Sequence, residues 1–351
     1  MSLSNSANHS SIIYIETHYC YESVNGSCKK FVRPLSLQFF MFVSMGIAVL
    51  LTVSGNLLVI MAISHFKQLH TSTNGLILSL AVCDFLLGAL IMPCSAMRSV
   101  HGCWFLGDLA CKLHTSTDIM LSTSSIFHLS FISVDRYFAV CTPLAYRSTM
   151  NSTTTFVMAA ISWLVPAIFA FGMIFSELNL KGSKAFYDTN VRCHGGCPVF
   201  FSQASAAFAS MFSFFIPGLI MFGIYIKIYK VARSQARSIK GQTQQFRVGG
   251  GNESKVSGQR ERRGAIILAV VVGVFLICWT PFFFCNMIDP FIGYTIPPTL
   301  VDALVWFGYM NSSFNPLVYA FFYSWFRKAL RIIITGKIFY RDSCRMRLYS
   351  E

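Results

Sequence analysis

The chain has 351 residues, of which 54% are hydrophobic and 12% charged, with 34 Phe, a mean hydropathy of +0.56 and a formal net charge of +14. That composition excludes a soluble globular domain and belongs to a chain that spends most of its length in lipid. It also gives no support to nucleic-acid binding, because the basic residues border apolar runs instead of forming a separate domain.

The first 35 residues read as an external segment with no basic start, short apolar core or small-residue cleavage site, so no removable signal peptide is expected. It carries glycosylation sequons at Asn8 and Asn25. A membrane domain over 36–323 follows, with apolar runs at about 36–63, 74–97, 108–141, 154–176, 202–231, 263–288 and 299–322. Each is long enough to cross roughly 30 Å of hydrocarbon. Between the fifth and sixth runs, residues 232–260 are rich in Gln, Ser, Gly and basic side chains, which predicts a flexible cytoplasmic loop whose ends continue the helices. The tail 324–351 opens with "SWFRKALRIIITGKIF", where Trp325, Phe326 and Leu330 lie opposite Arg327, Lys328 and Arg331, the pattern of a short amphipathic interfacial helix.

Orientation follows from the cations. With the N-terminus outside, only Lys29, Lys30, Arg33, Arg98, Lys112, Lys181, Lys184 and Arg192 of 28 Lys and Arg are external. The rest crowd the cytoplasmic face, where they suit anionic lipid. Six of the 12 Cys also fall outside (Cys20, Cys28, Cys103, Cys111, Cys193 and Cys197), an even set suited to disulfides in an oxidising compartment. Their pairing stays open, since six Cys allow 15 arrangements. Cys83, Cys94, Cys278 and Cys285 read as small packing residues within spans.

Three carboxylates lie inside spans, where each costs about 2.5–3.5 kcal/mol to insert unless it faces the bundle interior. They are Asp84, Asp118 and Asp135. Asp118 and Arg136 are separated by five helical turns, roughly 27 Å, near opposite faces of the membrane and on the same side of the third helix. Ser122 and Ser125 continue the stripe inward from Asp118 at i+4 and i+7. In "FLICWTPFFFCN" the sixth run offers Trp279, Phe282 and Phe283 around Pro281, which should kink the helix. A carboxylate beside ring faces suits an aromatic ammonium ligand. The competing reading is a structural carboxylate satisfied by a hydroxyl, with Tyr309 the obvious donor. Asp84 has Asn56, Ser125, Asn311, Ser312 and Asn315 at comparable depth. That set suits a small cation, sodium over a divalent ion because only one full negative charge is present, or else a hydrated polar network without an ion.

Taken in order, Gly55-Asn56, "LAVCD", Asp135-Arg136-Tyr137, Trp163, Pro217, "CWTP" and "NPLVY" resemble a rhodopsin-like G-protein-coupled receptor along almost the whole chain. "SHFKQLHTSTN", "HTSTDIMLS", "SIFHLSFIS", "FGYMNSSFNPLVYAFFY" and "WFRKAL" resemble the trace amine-associated receptors within that group. The resemblance implies a seven-helix bundle, all α, ending in a short amphipathic helix. It implies Asp118 as anchor for a small-molecule amine, with Ser122, Trp279, Phe282, Phe283 and Tyr309 lining the pocket. Ser210 and Ser213, three apart, are expected to share a face and meet a phenol hydroxyl, while Ala209 is apolar where related receptors often have a hydroxyl.

At the cytoplasmic face the resemblance implies an inactive-state lock of Asp135, Arg136 and Glu261, with Tyr137 completing the motif. Ile126, Pro217 and Phe275 would form a packing switch, Tyr225 and Tyr319 would turn inward on activation, and Asn315 and Pro316 open the last motif. It implies disulfides Cys111–Cys197, Cys20–Cys193 and Cys28–Cys103. It further implies a stimulatory heterotrimeric G protein and cyclic AMP as output, a plasma-membrane location with a fraction in internal membranes, and no cofactor beyond an allosteric sodium ion. A serotonin- or catecholamine-type receptor is the nearest rival. An opsin would need a lysine in span seven, a transporter two repeated halves, and an enzyme a nucleophile–base pair or metal-ligand spacing, none of which the sequence offers.

Overall fold

Proline and hydroxyl-bearing residues set the ends of the helices in the computed structural model, which describes residues 18–30, 32–245, 252–340, 342–346 and 348. α1 (Leu35–His65) starts directly after Pro34 and stops where Phe66 becomes extended. α2 (Ser72–His101) is capped by Thr71, whose Oγ1 accepts from the Asn74 amide, and ends at left-handed Gly102. Pro93 cannot donate an amide to the turn before it, and α2 widens there into a π-turn at Leu87–Ile91. α3 is Gly107–Cys141, and α4 is Ser152–Phe175, capped by Asn151. α5 runs as Gln203–Ser210, a second π-turn at Met211–Phe215 just ahead of Pro217, and Ile216–Gln245. α6 (Asn252–Ile288) and α7 (Pro298–Phe322) each contain a proline, Pro281 and Pro316. α8 (Ser324–Ile334) buries Trp325, Phe326 and Ala329 and exposes Arg327, Lys328 and Arg331.

Among the described residues, α1, α2, α4, α5 and α6 are long and apolar enough to cross a membrane. α3 and α7 fall short of that measure because they are the polar walls of the interior. α3 buries His114, Thr115, Ser125, His128 and Asp135, and α7 buries Asn311, Ser312, Ser313 and Asn315. α3 packs against α2, α4, α5 and α6, so its polar stripe faces helices rather than lipid. The result is the expected seven-helix bundle. The expected cytoplasmic loop 232–260 is shorter than its composition suggests: α5 continues to Gln245 and α6 begins at Asn252.

One buried network ties α2, α3 and α4 together. His128 Nδ1 lies 2.7 Å from the Ser124 carbonyl, which can only accept, so Nδ1 carries the proton and Nε2 accepts from Ser79 Oγ at 2.7 Å. Ser79 Oγ in turn accepts from Trp163 Nε1 at 2.9 Å. A neutral imidazole satisfies the whole chain, with each hydrogen bond running in one direction.

One end of the bundle is roofed by the segment 18–30 and the loop between α4 and α5. Cys20 is joined to Cys103, Cys28 to Cys193 and Cys111 to Cys197. The first two replace the expected pairs Cys20–Cys193 and Cys28–Cys103. Gly26 (φ 76°) turns the segment back so that the Cys28 amide meets the His194 carbonyl at 2.9 Å, which sets Cys28 beside Cys193. Gly196 leaves room for this approach, since a Cβ there would meet Cys28 Sγ at 2.6 Å. Farther along the same loop Glu177 bridges Lys184 at 2.7 Å and Lys112 at 3.2 Å. Hydrogen bonds from those two lysines hold its carboxyl below the usual carboxylate range, so the tie persists above that range and is lost as the pH falls through the lowered value. Asn25 is exposed in this roof, whereas Asn8 lies outside the described residues.

His128→Leu strands the Ser79 hydroxyl and breaks the three-helix tie. The purified protein is expected to lose about 1–3 kcal/mol of stability, read as a lower thermal unfolding midpoint.

Candidate functional site

Beneath the roof lies a cavity of about 650 Å³. Asp118 enters it from α3 and accepts hydrogen bonds from Tyr309 Oη at 2.6 Å and Ser122 Oγ at 3.3 Å. Both donors are neutral. Among the described residues no Lys, Arg or His is ion-paired with Asp118. Arg98, which its position in the sequence assigns to the external loop, lines the same cavity, but its guanidinium donates to the Cys197 carbonyl at 3.3 Å.

The floor is aromatic. Trp279 meets Tyr309 edge to face at 6.4 Å and Phe282 at 5.8 Å, and Phe283 stacks on Phe214 at 4.7 Å. Trp279 can lie this close to α7 because residue 308 is glycine: a Cβ there would come within 2.6 Å of the indole. Val199, Phe200 and Phe201 line the side under the roof, with Phe200 stacked on Tyr294 at 4.6 Å.

Ser122, Ser213, Trp279, Phe282, Phe283 and Tyr309 all line the cavity with Asp118. Ser210 does not. It is fully buried, and its Oγ accepts from Asn286 Nδ2 at 3.1 Å. The expected shared face of Ser210 and Ser213 fails because the π-turn Met211–Phe215 begins between them, and its wider turn rotates Ser213 away from the i,i+3 direction. In place of Ser210 the cavity presents Asn286, together with Ser213 and Thr123, which are hydrogen-bonded to each other at 3.2 Å.

Two further clusters continue the polar interior toward the end of the bundle away from the roof. Asp84 accepts from Ser312 at 2.7 Å, Asn315 at 2.8 Å and Ser125 at 3.3 Å. Beside it Asn56 and Asn311 are buried, and the side-chain oxygens of both have no partner among the described residues. Asp135 is buried and receives Arg136 Nε at 2.9 Å, Thr73 Oγ1 at 2.8 Å and Tyr146 Oη at 3.0 Å. Arg136 also donates to Thr73. Tyr137 lies under Lys227, whose Nζ is 5.1 Å from the ring centre. The side chain of Glu261, the third expected member of this cluster, lies outside the described residues.

Between the cavity and the end away from the roof, Ile126 and Phe275 are fully buried in one core with Phe214, and Pro217 is buried on α5. Tyr225 is partly buried against that core, and Tyr319 lies within it, 6.4 Å from Phe326 of α8. Pro316 closely approaches α1, where a Cβ at Gly55 would meet it at 2.9 Å.

The sequence matches the family of 7 transmembrane receptors (rhodopsin family) over residues 55–319. The chain belongs to that family. Similar proteins include Trace amine-associated receptor 1 of Macaca mulatta, 55% identical over 333 residues, and that of Homo sapiens, 54% identical, each alignment covering 95% of this chain and 98% of the other. Trace amine-associated receptor 4 of Rattus norvegicus is 47% identical, with 95% and 96% covered. Within the rhodopsin family the chain is therefore a member of the trace amine-associated receptors, and a receptor rather than an enzyme.

Several residues of this receptor's cavity escape sequence reasoning. Thr123 directly follows Ser122, five residues beyond Asp118, and Asn286 directly follows "FFFC"; both carry a readable signal. Asp302 has none. It lines the outer cavity and accepts from Ser99 Oγ at 2.8 Å, which itself accepts from Trp306 Nε1 at 3.0 Å.

Gly308→Ala is expected to push Trp279 off its seat and cost about 1–3 kcal/mol of stability, read as a lower unfolding midpoint with a shifted tryptophan emission.

Proposed function

We propose that this receptor recognises primary amines of the phenethylamine and tyramine type, holding the ammonium on Asp118. One observation carries the reading: Asp118 faces a cavity, and among the described residues its hydrogen-bond partners are only two hydroxyls, with no ion-paired cation. An incoming ammonium supplies the missing charge and can displace neither donor, because a carboxylate has lone pairs for all three. The ring then lies over Trp279, Phe282 and Phe283. Thr123 is five residues beyond Asp118, a rise of about 7.5 Å, so the Thr123–Ser213 pair and Asn286 are suited to a hydroxyl at the far end of the ligand. The names of the similar receptors support the same ligand class.

The receptor sits in the plasma membrane, with a fraction in internal membranes, and its N-terminus faces outward. Supporting this are the three disulfides gathered at one end and the basic side chains gathered at the other. An amine that prefers the active arrangement shifts the population toward it, and a stimulatory G protein at the Asp135–Arg136 end shifts it the same way, raising cyclic AMP. The Asp84 cluster takes a sodium ion. Its single carboxylate, two serine hydroxyls and the unpartnered oxygens of Asn56 and Asn311 are the hard oxygen donors a monovalent cation prefers.

Asp118→Ala should abolish the cyclic AMP response to primary amines at unchanged surface expression; unaltered potency would sink the anchor. Asn286→Ala should weaken tyramine by roughly tenfold relative to phenethylamine, the worth of one hydrogen bond. Sodium should lower agonist affinity in membranes, and Asp84→Asn should remove that dependence; an equal sodium effect in both proteins refutes the ion site.

A further inference from the structure

His114 lies one turn from Asp118 on α3, toward the roof, yet it does not line the cavity that Asp118 faces. It is buried, 7% exposed, with the Trp104 ring 5.1 Å away, and Trp104 is fastened to the roof by its amide, which donates to the Gly195 carbonyl at 2.8 Å. His114 Nε2 is 3.4 Å from the Ile91 carbonyl and 3.3 Å from Ser95 Oγ. Ile91 closes the π-turn of α2 and Ser95 follows it by four residues, so both oxygens lie on one side of that helix. Ser95 Oγ is in turn 3.5 Å from Tyr309 Oη, and Tyr309 is the donor to Asp118 at 2.6 Å.

The direction of every proton in this row follows from its two ends. A carboxylate only accepts, so the Tyr309 proton is committed to Asp118, and Ser95 must donate to Tyr309 Oη. A carbonyl also only accepts, so Nε2 carries the imidazole proton and shares it between Ile91 and Ser95. The other tautomer would set Nε2 against the Ile91 carbonyl as two acceptors and would draw the Ser95 proton away from Tyr309.

We propose that His114 is a positioning residue for the amine anchor: through Ser95 it holds Tyr309 on Asp118 and so fixes which carboxylate oxygen is left for the ligand. This rests on Asp118 as the ammonium site. Tyr309 occupies Oδ2, whereas Oδ1 has only Ser122 at 3.3 Å and is the oxygen open to an ammonium. Donors aligned in one direction polarise one another, strengthening each bond by about 10–30%. The row His114, Ser95, Tyr309 is aligned in that way toward Asp118, and of its three members only Tyr309 lines the cavity. A ring that touches no ligand therefore governs how firmly the carboxylate is aimed.

The test is a pair of double-mutant cycles on the full-length receptor in lipid nanodiscs, with phenethylamine as the probe and its affinity read by calorimetry. His114→Leu and Ser95→Ala should each weaken binding by about fivefold, the order expected when one neutral hydrogen bond is lost. Tyr309→Phe should weaken it at least as much. Adding either change to Tyr309→Phe should cost nothing further, because each acts only through the Tyr309 hydroxyl. His114→Gln, whose amide nitrogen can take the place of Nε2 as donor, should keep affinity within about twofold of wild type. Losses that add to that of Tyr309→Phe overturn the proposal, as do wild-type affinity in both His114→Leu and Ser95→Ala, or a His114→Gln receptor as weak as His114→Leu. The two cycles are independent, so a variant that does not fold in one leaves the decision to the other. Asp118→Ala separates this proposal from the reading beneath it: binding lost there, with additive cycles, overturns the positioning role alone, and wild-type binding there overturns both.

Discussion

A carboxylate inside a bilayer must be met by donors that the protein itself carries, because no water is at hand to compensate for a missing one. Three such groups, Asp84, Asp118 and Asp135, organise the interior, and the character of their donors changes with depth. At the end away from the roof Asp135 has a full cation, Arg136. In the middle Asp84 has two hydroxyls and an amide. At the outer end Asp118 has two hydroxyls and an accessible cavity. Among the described residues, charge compensation is thus complete only at the bottom. Asp118 and Asp135 both belong to α3, which explains why that helix occupies the centre of the bundle although it is less apolar than its neighbours.

α7 is the common respondent. It supplies Tyr309 to Asp118 and Ser312 with Asn315 to Asp84, so two carboxylates on different helices are read by a single rod. Gly308 brings the same rod against Trp279, two residues before the proline of α6. A shift of α7 that improves one of these contacts must alter the other two. This gives the cavity and the middle of the bundle a shared mechanical element.

The bundle was legible because its signals are local. Apolar length marked the spans, the i+4 and i+7 hydroxyls marked the inward face of α3, and the pattern after α7 marked α8. The missed features depend on geometry that no spacing records. The π-turn in α5 moved Ser213 off the face of Ser210, leaving Ser210 to Asn286. The exchange of partners between Cys20 and Cys28 depended on one left-handed glycine and on the bare Cα of Gly196. Thr73 and Tyr146, which share Asp135 with Arg136, come from loops and helix ends distant in sequence, so nothing in the Asp-Arg-Tyr motif announces them.

The roof has a mechanical meaning of its own. Two disulfides sew the segment before α1 to the first and second external loops, and a third sews the second loop to α3. A cover stitched at those points has little freedom to swing as a flap. Access to the cavity is then left to side chains that line it under the cover, such as Phe200 and Arg98, rather than to the swing of a loop. The covalent cover thus fixes the shape of the chamber at three points that no side-chain contact could hold as firmly.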